Sequence, residues 1–164
     1  METLVDIEES VHIDALPETV WRLVTDVRRH PEYAGPKSIT KAIEFDDTLH
    51  VGARWIAHEK AGPQKFDARS EVTILDPGHE FGWASFPPMK EQNRGEGGRV
   101  LWSYTIVPEQ TGTRLTHHMQ VLPAQKGAWV QKTMNAVLRL PKQQRRGIIT
   151  SLTNIKTTAE HEPM

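Results

Sequence analysis

The sequence predicts an α+β fold: a twisted seven-stranded antiparallel sheet, two short helices after its first strand, and a long C-terminal helix. Three observations carry this reading. Seven apolar runs alternate with a period of two and are separated by turn-forming residues. A proline-led amphipathic stripe follows the first of these runs, and beyond Gln125 the apolar period changes to about 3.6. At 164 residues the chain has the usual size of one domain, so a single core spanning 1–164 is expected.

The first strand, 4–13, places Val5, Ile7, Val11 and Ile13 on alternate positions, interrupted by Glu9. Asp14 and Pro17 punctuate it, and Pro17 suits the first turn of a helix, where its missing N–H is not needed. Val20, Trp21, Leu23 and Val24 then form a helical stripe that ends near Asp26. A second short helix is expected over 27–33, closed by Gly35 and Pro36. Strands follow over 39–45, 51–60, 65–75, 80–86, 100–107 and 113–121. Their separators are Asp46 with Asp47, Gly62 with Pro63, Asp76–Pro77–Gly78, the segment 87–98, and Gln110–Thr111–Gly112.

The connections at 76–78 and 109–112 are short enough for hairpins, so sequence neighbours should pair as an antiparallel meander. The segment 87–98 holds Pro87, Pro88, Gly95, Gly97 and Gly98 and reads as a long loop, either a lid or an ordinary exposed connection. In the C-terminal helix, Val130, Met134, Val137 and Leu138 share one face, and Ile148, Ile149, Leu152 and Ile155 continue it. Pro141 lies between the two halves and must kink or restart the helix.

Composition narrows the function. A hydrophobic fraction of 37% with 25% charged residues supplies a core but no membrane span. Twenty basic residues against 21 acidic ones, net charge −1, give no field for a phosphate backbone, so nucleic acid is not an expected partner. Lys142, Arg145 and Arg146 read as the solvated face of a helix. The absence of cysteine excludes disulfides, thiolate zinc sites and cysteine nucleophiles, and makes a reducing cytoplasm the simplest location. The first ten residues carry Glu2, Asp6, Glu8 and Glu9 where a secretory signal has a basic start and an apolar run, so export is not expected. No hydrolase elbow, phosphate loop or dinucleotide fingerprint occurs, and no cofactor is expected.

Several stretches resemble one known superfamily. Residues 11–21, VHIDALPETVW, resemble the start of START-like (SRPBCC) proteins, where a strand passes through a proline into a helix bearing tryptophan. Asp26 followed by His30, Pro31, Glu32 and Tyr33 resembles the second helix, and Val51–Gly52 before Trp55 resembles the third strand. Residues 72–78 resemble the fourth strand and its turn, and residues 111–116, TGTRLT, resemble the entry to the last strand. The resemblance covers nearly the whole chain, and its nearest branch is the bacterial polyketide cyclase/dehydrase-like family. It implies a helix-grip, pollen-allergen-like fold with a curved sheet and an internal ligand cavity. None of these motifs is catalytic, so the match is specific for fold rather than for activity.

A sheet curved round a helix leaves a space whose lining decides its use. Alternation groups Phe66, Ala68, Ser70, Val72 and Ile74 on one face; Val100, Trp102, Tyr104 and Ile106 on another; and Leu115, His117, Met119 and Val121 on a third. Phe81 with Trp83, and Trp55 with Ala57 and Glu59, extend the set. The candidate ligand-binding residues are therefore Trp55, Phe66, Ser70, Phe81, Trp83, Trp102, Tyr104, His117, Met119 and, from the helix, Met134. Aromatic walls suit a flat apolar ligand; the alternative is that the rings simply fill the core.

His117 sits in an apolar alternation between Leu115 and Met119, where it is either a satisfied structural residue or one that orients a ligand or moves a proton. Its neighbour His118 points to the opposite face, so the pair cannot converge on one metal, and no metal site is expected. A register one residue different would bring Glu59 or Arg69 inward instead. The family resemblance implies that cyclase relatives pose a polyketide for aldol closure and dehydration. In that chemistry His117 is the candidate acid or base and Tyr104 the candidate enolate stabiliser. Three functions follow: a receptor for a small hydrophobic molecule such as an aromatic polyketide or lipid, a cyclase or dehydratase, or an interaction module with a filled core. Either a monomer or a homodimer is compatible with the sequence.

Overall fold

A computed structural model describes residues 5–86, 98–122 and 141–162. The elements are β1 (Val5–Ile13), α1 (Pro17–Thr25), a 3-10 turn (Val27–Arg29) running into α2 (His30–Ala34), β2 (Thr40–Glu44), β3 (Arg54–Ala61), β4 (Gln64–Asp76), β5 (Glu80–Phe86), β6 (Arg99–Pro108), β7 (Thr113–Leu122) and α3 (Pro141–His161). The seven strands form one antiparallel sheet in the order β1-β7-β6-β5-β4-β3-β2. Strands β2 to β7 are a meander of sequence neighbours, and β1 returns to pair with β7. The helix-grip architecture expected from the sequence is the one observed. Residues 87–97 of the expected loop 87–98, and the first half of the expected long helix, with Val130, Met134, Val137 and Leu138, lie outside the described residues.

Local chemistry explains how the ends of the elements meet. Pro17 occupies the first turn of α1, whose Val20, Leu23 and Val24 are buried. The β6–β7 turn abuts the end of β1 so closely that a Cβ on Gly112 would lie 2.2 Å from the Ile13 carbonyl oxygen. With φ at +84° as well, this position admits only glycine. The next residue, fully buried Thr113, donates its hydroxyl to the Ala15 carbonyl at 2.8 Å.

Helix α3 presents Ile148, Leu152, Ile155 and Ala159 to the core. Its C-terminal half is tied to the β1–α1 link, because Lys156 Nζ donates to the His12 carbonyl at 2.8 Å and Glu160 accepts from the Asp14 amide at 2.8 Å. Asn154 Nδ2 donates to the Tyr33 carbonyl at 2.7 Å and so fixes α2 against the same helix.

Two expected inward positions face outward. Ile149 is exposed, since the buried residues of α3 recur at steps of four and three, and Ile149 lies about 100° round the helix from Ile148. Ile74 is also exposed. A register shift between Val72 and Ile74 in the β4–β5 ladder inserts one residue, which returns Ile74 to the outer face opposite Gly82 and turns Leu75 inward opposite Phe81.

Candidate functional site

The register sets two inward rows across the sheet. One runs Val72, Trp83, Trp102, Met119 and Ile7, and the next runs Leu75, Phe81, Tyr104, His117 and Glu9. Directly opposed residues on one face lie within side-chain contact, so the aromatic residues of these rows gather into one cluster. Trp83 is its hub. Its ring lies 5.1 Å from His30, 5.2 Å from Phe81, 5.9 Å from Trp55 and Tyr104, 6.2 Å from Trp102 and 6.3 Å from His117. Trp83, Trp55, Phe81, Tyr104 and His117 are buried, whereas the inward-facing Trp102, Val100 and His30 keep part of their surface exposed.

His117 stacks on Tyr104 with centroids 3.9 Å apart and planes 8° from parallel, and Trp102 lies 5.5 Å from the same imidazole. Its Nδ1 is 2.9 Å from the Ser103 carbonyl oxygen. A carbonyl only accepts, so Nδ1 carries the proton and Nε2 is a bare lone pair. Burial pushes the His117 pKa down to about 4, which leaves the ring neutral near pH 7. His30, at the start of α2, is its mirror in tautomer: Nε2 donates to the Val24 carbonyl at 2.7 Å, and Nδ1 is the bare nitrogen. Burial pushes its pKa down to about 4 as well.

The remaining polar groups are mostly engaged. Burial raises the Tyr104 phenol, an effect partly offset by the Ser151 side chain of α3. Ser70 and Ser85 share a hydrogen bond of 3.0 Å across β4 and β5. Glu59, at the hairpin end of β3, accepts from the Thr40 hydroxyl at 3.0 Å, and burial raises its carboxyl. The buried Tyr33 hydroxyl has no partner among the described residues, and burial pushes its pKa up to about 12.

Of the residues singled out in the sequence, Trp55, Phe81, Trp83, Trp102, Tyr104 and His117 are brought together. Ser70 is buried opposite Trp55, and Met119 is buried opposite Trp102. Phe66 is not brought in: it pairs with Glu59 near the β3–β4 hairpin, half-buried and outside the ring cluster. Met134 lies outside the described residues. His118 points outward to Asp6, as strand alternation requires. Sequence reasoning missed His30 and Tyr33 as site residues, because a five-residue helix offers no periodicity from which to read an inward face. A surface cleft of about 360 Å³ between α2 and β2, lined by residues that include Glu32 and Lys41, is open and polar and lies apart from this cluster.

Comparison with known proteins agrees with this fold. A family model described as polyketide cyclase/dehydrase and lipid transport matches residues 5–160. Among solved structures, a polyketide-cyclase-like protein from Corynebacterium glutamicum is 22% identical, with 98% of this chain and 91% of that one covered and a TM-score of 0.59. An aromatase/cyclase from a Streptomyces strain is 14% identical, with 95% and 93% covered and a TM-score of 0.70. The protein Ara h 8.0201 is 9% identical, with 96% and 99% covered and a TM-score of 0.62. Identities this low establish a shared fold. A comparison with curated protein sequences returned no match.

Proposed function

The chain belongs to the polyketide cyclase/dehydrase and lipid transport family of the START-like superfamily, and on that premise we propose that it binds a small, flat, hydrophobic molecule against Trp83 and its neighbouring rings. An aromatic polyketide or a lipid of similar breadth fits this description. The observation that carries the reading is the convergence of six rings on Trp83 while the inward-facing Trp102 and His30 stay partly exposed. A core built only for packing closes over its aromatic residues, because exposed apolar area near a core forfeits burial energy. Rings also give a ligand large contact area with little loss of side-chain freedom.

Chemistry at His117 favours binding over catalysis. A general base works best with a pKa near the operating pH, and an imidazole near 4 is a weak base that is not in its acidic imidazolium form near pH 7. Cyclisation or dehydration therefore stands as the second reading, favoured by the pairing of one neutral imidazole with one phenol at 3.9 Å.

The test is a panel of fused aromatic compounds and fatty acids, scored by the rise in unfolding temperature of the protein. A ligand at about 100 times its Kd raises stability by about 2.7 kcal/mol, which is readily measured. A panel without one stabilising member overturns the binding reading. If a substrate is found, a His117→Ala variant that turns it over at the unaltered rate removes His117 from the second reading.

A further inference from the structure

We propose that His12 is a proton-operated clip that sets how firmly the C-terminal end of α3 is held to the closing corner of the sheet. At this corner β1 ends, β7 begins and the chain turns towards α1. His12 Nδ1 lies 2.6 Å from Oε1 of Glu109, in the β6–β7 turn, and its Nε2 lies 2.9 Å from Oδ1 of Asp14, in the β1–α1 link. A carboxylate only accepts, so both ring nitrogens donate and the ring between them is the imidazolium.

The main chain of the same two residues carries the helix. Lys156 Nζ donates to the His12 carbonyl at 2.8 Å, and the Asp14 amide donates to Oε2 of Glu160 at 2.8 Å. Lys156 bonds that same carboxylate oxygen at 2.6 Å, so the two ties work as one unit. The His12 carbonyl and the Asp14 amide belong to the two peptides that flank Ile13. The bond between the side chains of His12 and Asp14 braces these peptides from the other side, and their orientation decides whether the helix is met.

Loss of one proton undoes the brace. A neutral imidazole has one donor and one lone pair, so it bonds one of the two carboxylates and sets its lone pair against the other. Glu109 keeps its place, because Arg114 Nε donates to its second oxygen at 3.0 Å. Asp14 has no second cation among the described residues, and its side chain is 72% exposed, so this is the arm that turns out to water. The charged groups facing His12 are Asp14 on the link, Glu109 on the turn, Arg114 on β7, and Lys156 and Glu160 on α3. An imidazole ordinarily titrates between about pH 5 and about pH 8. Glu109 first, and then Asp14, raise this one above 6.5, so the clip is shut below 6.5 and opens as pH rises through the raised value.

The experiment takes the ¹⁵N-labelled full chain through an alkaline titration. The His12 ring nitrogens should show the doubly protonated form below 6.5 and lose it at a midpoint above 6.5. Exchange of the Asp14 amide with water, relative to its intrinsic rate, should rise about two- to fivefold across that midpoint, the effect of one exposed ion pair. The Val72 amide, bonded to the Ala53 carbonyl at 2.9 Å and three strands away from β7, should show no such step. A His12→Gln variant should show the faster Asp14 exchange on both sides of the midpoint. A His12 midpoint at or below 6.5, an Asp14 amide without a step, a step shared by Val72, or an equal step in His12→Gln overturns the proposal. The first three are read from the unsubstituted protein and hold whether or not the variant folds.

Discussion

His117 ties the stability of the fold to pH, with a magnitude set by its surroundings. The imidazole is 4% exposed, and burial lowers its pKa from the ordinary 6.5 to about 4. Between those values the unfolded chain binds a proton that the folded chain does not, so stability rises with pH by about 1.4 kcal/mol per pH unit. The contribution is fully present above 6.5 and is lost as pH falls towards 4. The whole swing is about 3 kcal/mol, of which about 2 kcal/mol falls between about pH 7 and about pH 5.

His30 acts in the same direction, because burial lowers its pKa to about 4 as well. His12, His50 and His58 act in the opposite direction: bonds to Glu109, Asp47 and Asp67 raise their pKa values, so their contribution is present in acid and lost as pH rises. A His117→Asn variant keeps a donor for the Ser103 carbonyl, removes the titration and leaves the surface histidines unaltered. Urea unfolding followed by tryptophan fluorescence should show the variant losing about 2 kcal/mol less than the unsubstituted protein between about pH 7 and about pH 5. Parallel losses, within about 0.5 kcal/mol, refute the assignment of a neutral buried His117.

Further outcomes follow from other positions. Gly112→Ala should cost roughly 2–4 kcal/mol, because the added methyl group meets a backbone oxygen in a left-handed conformation; an unchanged unfolding temperature contradicts that geometry. Tyr33→Phe should leave stability unchanged or raise it by up to about 1 kcal/mol, since it deletes a buried hydroxyl without a described partner; a loss of more than about 1 kcal/mol shows that the hydroxyl is bonded.

Much of this molecule was legible because strand alternation reports burial directly. The inward set on β7, Leu115, His117, Met119 and Val121, is buried without exception. On β4 the same rule failed after Val72, where an inserted residue reverses the faces. The adjacent apolar pair Ile74 and Leu75 is the trace it leaves in the sequence, but period two alone does not say which of them turns inward. Helical periodicity likewise admitted Ile149 to the buried stripe, because neighbouring positions on a helix differ by only a quarter turn or so. The clustering of the rings depended on the register between strands, which fixes Trp83 opposite Trp102 and Tyr104 opposite His117. His30 was hidden for a different reason: its inward position comes from a contact between α2 and the sheet, and nothing in the local pattern encodes it.

The pairing of β1 with β7 has a consequence for how the chain is made. Val5 meets Val121, and Ile13 meets Thr113. During synthesis from the N-terminus, the first strand emerges roughly a hundred residues before its partner, an interval of several seconds at about 5–20 residues per second. The hairpins from β2 to β6 can zip in order while β1 waits with its apolar edge bare, and only the arrival of β7 closes the sheet. Release of the nascent chain before Thr113 would therefore yield a meander that has its turns but not its first strand in place.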